Sequence, residues 1–264
     1  MKLNFPTSFD IEYPSKNKNY YGDTYRKEIE LLLLKASNYY CMYCGKDLKT
    51  DNNVIFNIEH SIEKSGYEEK KSVQFLKHCK FNLSAACPSC NQKYKTRMIE
   101  MLDKKLVNRD LQCSKKECTQ PCKEYIELKE KYLELNKIIL QPLGVKCEQN
   151  GEYEIEYDLL KQAFSTVKRI NDPQSIDFIR NHISRFQLNK EMSTNCIIDI
   201  TELIIGIIDE FGEEIDINKV TNIISIKRAN NIIGDRYVEF IKEYFNNTSD
   251  LYAFCELIIV ISYI

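Results

Sequence analysis

Histidine is nearly missing from this chain, with three in 264 residues. Glycine (8) and proline (6) are also scarce. So few turn-formers exclude an extended, turn-rich β architecture and predict that helices dominate. Long hydrophobic runs are lacking too. The longest, "LYAFCELIIVISYI" at 251–264, is too short to span a bilayer and is interrupted by Glu256, so it reads as a buried terminal helix. The first ten residues, "MKLNFPTSFD", lack the apolar core that a signal peptide needs. A reducing, cytoplasmic setting is therefore expected, with no membrane contact. There, eleven cysteines point to metal ligands and buried thiols and not to a disulfide framework.

What is present fits a globular protein: 43% hydrophobic and 29% charged residues, on a chain long enough for one large or two small domains. The net charge of −2 hides an asymmetry. Residues 1–150 hold 26 Lys and Arg against 20 Asp and Glu, whereas residues 151–264 hold 11 against 19. A basic front half suits a polyanionic partner, and an acidic back half argues against DNA binding along the whole length.

Along the chain, "DTYRKEIELLLLKASN" (23–38) reads as a helix with an Ile29, Leu32, Leu33 stripe. "NVIFNIEH" is β-branched and aromatic, which predicts a strand ending near His60, and "FNLSAAC" predicts a second. A helix is expected after Pro88 and another over "KEYIELKEKYLELNKIIL". Asn150-Gly151 is a hairpin signal inside "VKCEQNGEYEIEYD". Beyond it, amphipathic helices are expected at about 158–168, 173–188, 197–211, 216–230 and 233–246, with a last one at the terminus. The hairpin marks the change of charge. The expected division is therefore 1–145, a first domain with a Cys-rich extension, and 146–264, an acidic helical domain. No repeat or low-complexity linker is visible.

The chemistry concentrates between two cysteine pairs. Cys41-x-x-Cys44 and Cys87-x-x-Cys90 have the spacing of two knuckles that fill a tetrahedral zinc site with four thiolates. The 42 residues between them would be held at both ends by one metal. Inside lie Glu59-His60 at a strand end and Asn82, and Asn91 follows the second pair directly. An imidazole titrating near pH 6.5 can activate a water, and a carboxylate with an amide oxygen can hold a hard cation such as Mg²⁺ or Mn²⁺.

This order of "CMYC", "IEH", "NL" and "CPSCNQKYK" resembles the HNH endonuclease superfamily, the ββα-metal fold, in its zinc-knuckle form. The resemblance covers about residues 38–100. It implies an α+β, mainly α, chain: a small ββα-metal nuclease core with a structural four-cysteine zinc site, plus a helical C-terminal domain. It implies His60 as the general base for hydrolysis of DNA phosphodiester bonds and Asn82 as the brace of the loop that carries it. Glu59 and Asn91 would bind the catalytic divalent cation, Mg²⁺ or Mn²⁺. The chain departs from the pattern at three places: Glu63 where a proline is common, Gly66 in place of a glycine pair, and Tyr94 where a lysine is expected. In layout it resembles the HNH subunits of two-component anti-phage systems such as Septu, which implies a protein partner, an ATPase or a second copy of the chain.

Lys93, Lys95 and Arg97 are the candidate nucleic-acid contacts, with Lys104, Lys105, Arg109, Lys115 and Lys116 beyond; the interleaved Glu100, Asp103 and Asp110 equally suit a solvated helix face. Cys113, Cys118 and Cys122 are dense enough for a second zinc if Cys147, Cys79 or His78 supplies a fourth ligand. Otherwise they pack a helix corner. Cys196, Cys255 and His182 read as core residues. The competing reading is a non-catalytic zinc module that binds nucleic acid or protein, in which the cysteines matter and His60, Glu59 and Asn91 do not. A stand-alone restriction or homing nuclease would need a recognition helix, and none is legible.

Overall fold

The structure, a computed structural model, describes residues 1–64, 74–95, 116–227 and 229–263. It is mainly helical with small antiparallel sheets. β1 (Lys2–Phe5) leads to helix α1 (Arg26–Ala36), whose Ile29, Leu33 and Leu34 turn inward. The expected strand at 53–60 is two strands. β3 (Asn53–Val54) pairs with β2 (Lys49–Thr50), while β4 (Asn57–His60) pairs with β5 (Leu83–Ala86). Between them come the short helix α2 (Gln74–His78) and a 3-10 turn at Lys80–Asn82. A π-helical segment, Ser89–Lys95, follows β5. The order around the cysteines is thus strand, strand, helix.

α3 (Lys123–Asn136) buries Tyr125, Leu128 and Tyr132 against this unit. The Asn150-Gly151 signal is met by a hairpin of β6 (Lys146–Cys147) and β7 (Gly151–Glu152). The helix expected at 158–168 is instead a strand pair, β8 (Ile155–Asp158) with β9 (Ala163–Thr166). Two local devices decide this. The Asp158 carboxylate accepts from the N–H groups of Leu160 and Lys161, and Gln162 takes a left-handed conformation, φ 47°. β1 then pairs with the other edge of β8, with Phe5 opposite Ile155, so the first strand of the chain lies in the sheet built from residues 155–166.

The rest is helical: α4 (Pro173–Arg185), α5 (Glu191–Phe211), α6 (Ile217–Ile226), α7 (Ile232–Tyr244) and α8 (Thr248–Ser262). Asp172, Asp216, Asn231 and Asn247 cap four of them by accepting a first-turn N–H. α5 packs on α8 and α7, α7 packs on β1, and α4 packs on β9. No described helix is long and apolar enough to cross a membrane.

The cysteine knuckle is fastened to this helical layer at the start of α7, and Tyr43 packs on Phe186 at the end of α4. Asn231, which caps α7, donates through Nδ2 to the Cys44 carbonyl at 3.1 Å, and Ile232 N–H donates to the Gly45 carbonyl at 2.8 Å. Gly45 has φ +72°, and a Cβ there would lie 2.6 Å from Ile232 Cγ2 and 2.9 Å from Phe5 Cε2. Strain and overlap act together, so Gly45→Ala is expected to lower stability by about 2–4 kcal/mol in urea unfolding.

His182 is a core residue, as its sequence setting suggested. Its Nδ1 accepts from Ile139 N–H at 3.2 Å, which only the neutral ring can do. Burial pushes its pKa down from 6.5 to about 3. The unfolded chain therefore binds a proton at His182 that the folded chain refuses. Its contribution is complete above about pH 6.5 and declines as the pH falls toward 3. Stability measured between pH 7 and pH 4.5 should fall, and fall less in His182→Gln, which keeps an acceptor for Ile139.

Candidate metal centre and the adjoining Glu59–His60 cluster

The sulfur atoms of Cys41, Cys44, Cys87 and Cys90 all lie within 4.8 Å of one another. Cys44 Sγ and Cys87 Sγ are 3.8 Å apart, which is about the edge of a tetrahedron with Zn–S bonds of roughly 2.3 Å. The knuckles are shaped by backbone-to-sulfur bonds: Cys87 N–H donates to Cys41 Sγ and Cys90 N–H to Cys87 Sγ. Hydrogen bonding from Cys41 holds the Cys87 thiol far below its ordinary pKa, while the same neighbour raises Cys44 and burial raises Cys90. Four clustered thiols, three buried and Cys44 half-buried, suit a soft dication that would replace their protons. The set fits zinc in ligand number, ligand type and spacing.

β4 and β5 run between the knuckles. Glu59 stands opposite Ser84 and His60 opposite Leu83. The two neighbours point to different surroundings, as alternation along a strand requires. Glu59 is 2% exposed. Its Oε2 accepts from Tyr43 Oη at 2.6 Å and from Ser84 Oγ at 3.3 Å, and its Oε1 accepts from Lys95 Nζ at 2.6 Å. Lys95 Nζ also donates to the His60 carbonyl at 2.5 Å and to Glu63 Oε1 at 3.1 Å. Burial pushes the Glu59 carboxyl up, and Lys95 pulls it back. Burial is the largest influence and would lower Lys95, but Glu59, Tyr132, Glu63 and Tyr43 together outweigh it and keep the ammonium protonated.

His60 is 4% exposed, with Nε2 3.1 Å from the Lys77 carbonyl oxygen. A carbonyl can only accept, so Nε2 carries the hydrogen and Nδ1 the lone pair. The Tyr21 ring packs edge-on against the imidazole at 4.7 Å, and Lys64 Nζ sits 3.7 Å over that same ring. Burial, then Lys64, pushes the His60 pKa down to about 3. Asn82 holds the segment that follows His60. Its Oδ1 accepts from Ile62 N–H at 2.7 Å, and its Nδ2 donates to the carbonyls of Ile62 and Leu76, both at 2.9 Å.

No protein-family model, curated protein or solved structure matches this chain. The site therefore stands on its own geometry.

The candidate residues divide accordingly. The four cysteines come together, and His60, Glu59 and Asn82 share the hairpin. Asn91 lies half-buried on the Ser89–Lys95 segment, four residues before Lys95. Lys93 is exposed. Lys95, expected on the nucleic-acid side, is fully buried against Glu59 and Glu63, so in this arrangement it meets no phosphate. Arg97, Lys104, Lys105, Arg109, Lys115 and Cys113 lie outside the described residues. Cys118 donates through Sγ to Asn17 Oδ1 at 2.9 Å, Cys122 precedes α3, and no second metal-like cluster occurs among the described residues. Glu63, Tyr43, Tyr21 and Lys64 were missed in the sequence. Glu63 and Lys64, three and four residues after His60, stood near it in the chain, whereas Tyr21 and Tyr43 did not.

Mass spectrometry of the native protein is expected to find one zinc per chain. Cys90→Ser should lose it and unfold cooperatively, because the binding energy of a structural zinc, on the order of 10 kcal/mol, is folding energy.

Proposed function

We propose that the chain is a phosphodiesterase of the HNH type that cuts DNA, with His60 as the general base. The observation that carries this reading is the His60 imidazole, fixed by the Lys77 carbonyl so that its basic nitrogen is Nδ1, on a hairpin whose exit Asn82 clamps. A general base needs that defined tautomer and orientation more than it needs a particular resting pKa. The low pKa keeps the imidazole neutral at working pH. A phosphodiester anion arriving beside it would raise its basicity at the moment of use.

On this reading His60 Nδ1 takes the proton of the attacking water, and the Nε2–H bond to Lys77 supports the imidazolium that results. Asn82 keeps Ile62, and so the approach to His60, in place. Lys64 and the exposed Lys93 would grip phosphate oxygens. Glu59 and Asn91 are the residues to hold a divalent Mg²⁺ or Mn²⁺. The oxygens around Lys95 Nζ, from Glu59, Glu63 and the His60 carbonyl, have the hardness such an ion requires, and the ammonium stands in for it. A cation bound there supplies charge neutralisation for the phosphate and the leaving oxygen. A protein partner, an ATPase or a second copy, would act through the helical part of the chain, in anti-phage defence.

One observation favours a second reading. Glu59 has both oxygens engaged by Tyr43 and Lys95, as a non-catalytic zinc module that binds nucleic acid or protein would tolerate.

Plasmid cleavage separates the two. The wild type with Mg²⁺ or Mn²⁺ should cut, and His60→Ala, with its zinc retained, should cut about 10²–10⁴-fold more slowly. Equal cutting by both proteins removes His60 from the chemistry, and no cutting with any partner leaves the zinc module.

A further inference from the structure

We propose that Lys95 is an internal competitor for a divalent-cation site formed by Glu59, Glu63 and the backbone carbonyl of His60, so that the centre stays latent until the ammonium is displaced. Three oxygens from three residues converge on one nitrogen at 2.6, 3.1 and 2.5 Å. A lysine with no exposure is rare and persists only where its charge is met.

The charges favour an exchange. Two carboxylates face one ammonium, and a dication in the same place would meet both of them. The exchange asks little of Glu59, because Tyr43 Oη binds Oε2 and only Oε1 is needed for the ion. The oxygens would close in from hydrogen-bond distances to about 2.1–2.4 Å. Glu63 offers the way in: its side chain is 22% exposed, against 2% for Glu59 and 0% for Lys95.

The position also matters for the chemistry. The occupant bonds to the carbonyl of His60 itself, so exchanging ammonium for metal acts directly on the residue that carries the base. Glu63 thereby gains a role as a third oxygen donor. What the bound cation would then do rests on the phosphodiesterase reading above; the competition does not.

The test uses the full, zinc-loaded chain and Mn²⁺ as the probe, with binding followed by the loss of the free-ion paramagnetic resonance signal. Lys95→Met should bind Mn²⁺ roughly ten-fold or more tightly than the wild type, since an internal competitor scales apparent affinity down to the fraction of time the site is vacant. Adding Glu59→Gln or Glu63→Gln to Lys95→Met should abolish the gain. In the wild type, reductive methylation read by mass spectrometry should leave Lys95 unlabelled without Mn²⁺ and label it when Mn²⁺ saturates. This second measurement decides the matter if Lys95→Met does not fold. Equal Mn²⁺ affinity in wild type and variant, no Mn²⁺ binding by either, or Lys95 still protected in Mn²⁺-loaded wild type would each overturn the proposal. Mn²⁺ exchange without DNA cleavage would sink the nuclease reading alone, and cleavage without exchange would sink the competition alone.

Discussion

Every feature of the candidate site depends on residues 41–44 and 87–90 being held together by their four sulfurs. The sulfurs cluster beside one end of the β4–β5 pair, where Ala86 leads into Cys87 and Met42 N–H donates to the Ala85 carbonyl; the pair has four residues per strand. An isolated two-stranded hairpin of that length is marginal in water. Held at that end by the knuckles and at the other by Asn82, it presents Glu59 and the His60 carbonyl to Lys95. The same knuckle is gripped from the other side by Asn231, which ties the metal centre to the helical layer through α7. The site and the C-terminal helices therefore share one anchor.

Positive charge in the front half of the chain is used differently from what a DNA-binding surface would ask. Lys95 is enclosed by Glu59 and Glu63. Lys80 is also buried, and its ammonium donates to the carbonyls of Pro14 and Cys118 at 2.5 and 2.6 Å. Lys80 thereby draws the N-terminal segment and the chain before α3 onto the hairpin. Burying a charge is costly unless each donor finds an acceptor, and both lysines meet that condition, one with carboxylates and one with carbonyls. The basic excess that suggested a polyanion partner thus partly serves to hold the core together.

Much was legible in the sequence. The Cys-x-x-Cys pairs announced their own cluster because two knuckles have few other uses. Helices α4 to α8 follow from apolar periodicity and from Asp or Asn caps, which are local signals. At 158–168 the apolar residues suit either a helical stripe or strands; the Asp158 turn and the left-handed Gln162 make the reversal, and β1, about 150 residues earlier, pairs with the strand that results. Lys95 was misjudged because exposure was inferred from its place on a basic helix. Its burial depends on Glu59, 36 residues earlier and brought near only by the pairing of β4 with β5.

The sequence by itself determined the four-sulfur centre and the mainly helical class, since these depend on spacing and residue type within short stretches. Only the tertiary structure decided which nitrogen of His60 bears the hydrogen, that Asn82 clamps Ile62, and that the Lys95 ammonium meets the Glu59 carboxylate. Those are properties of groups far apart in the chain, whose meeting depends on strand register and on the desolvation of charges, and neither is written in any one segment.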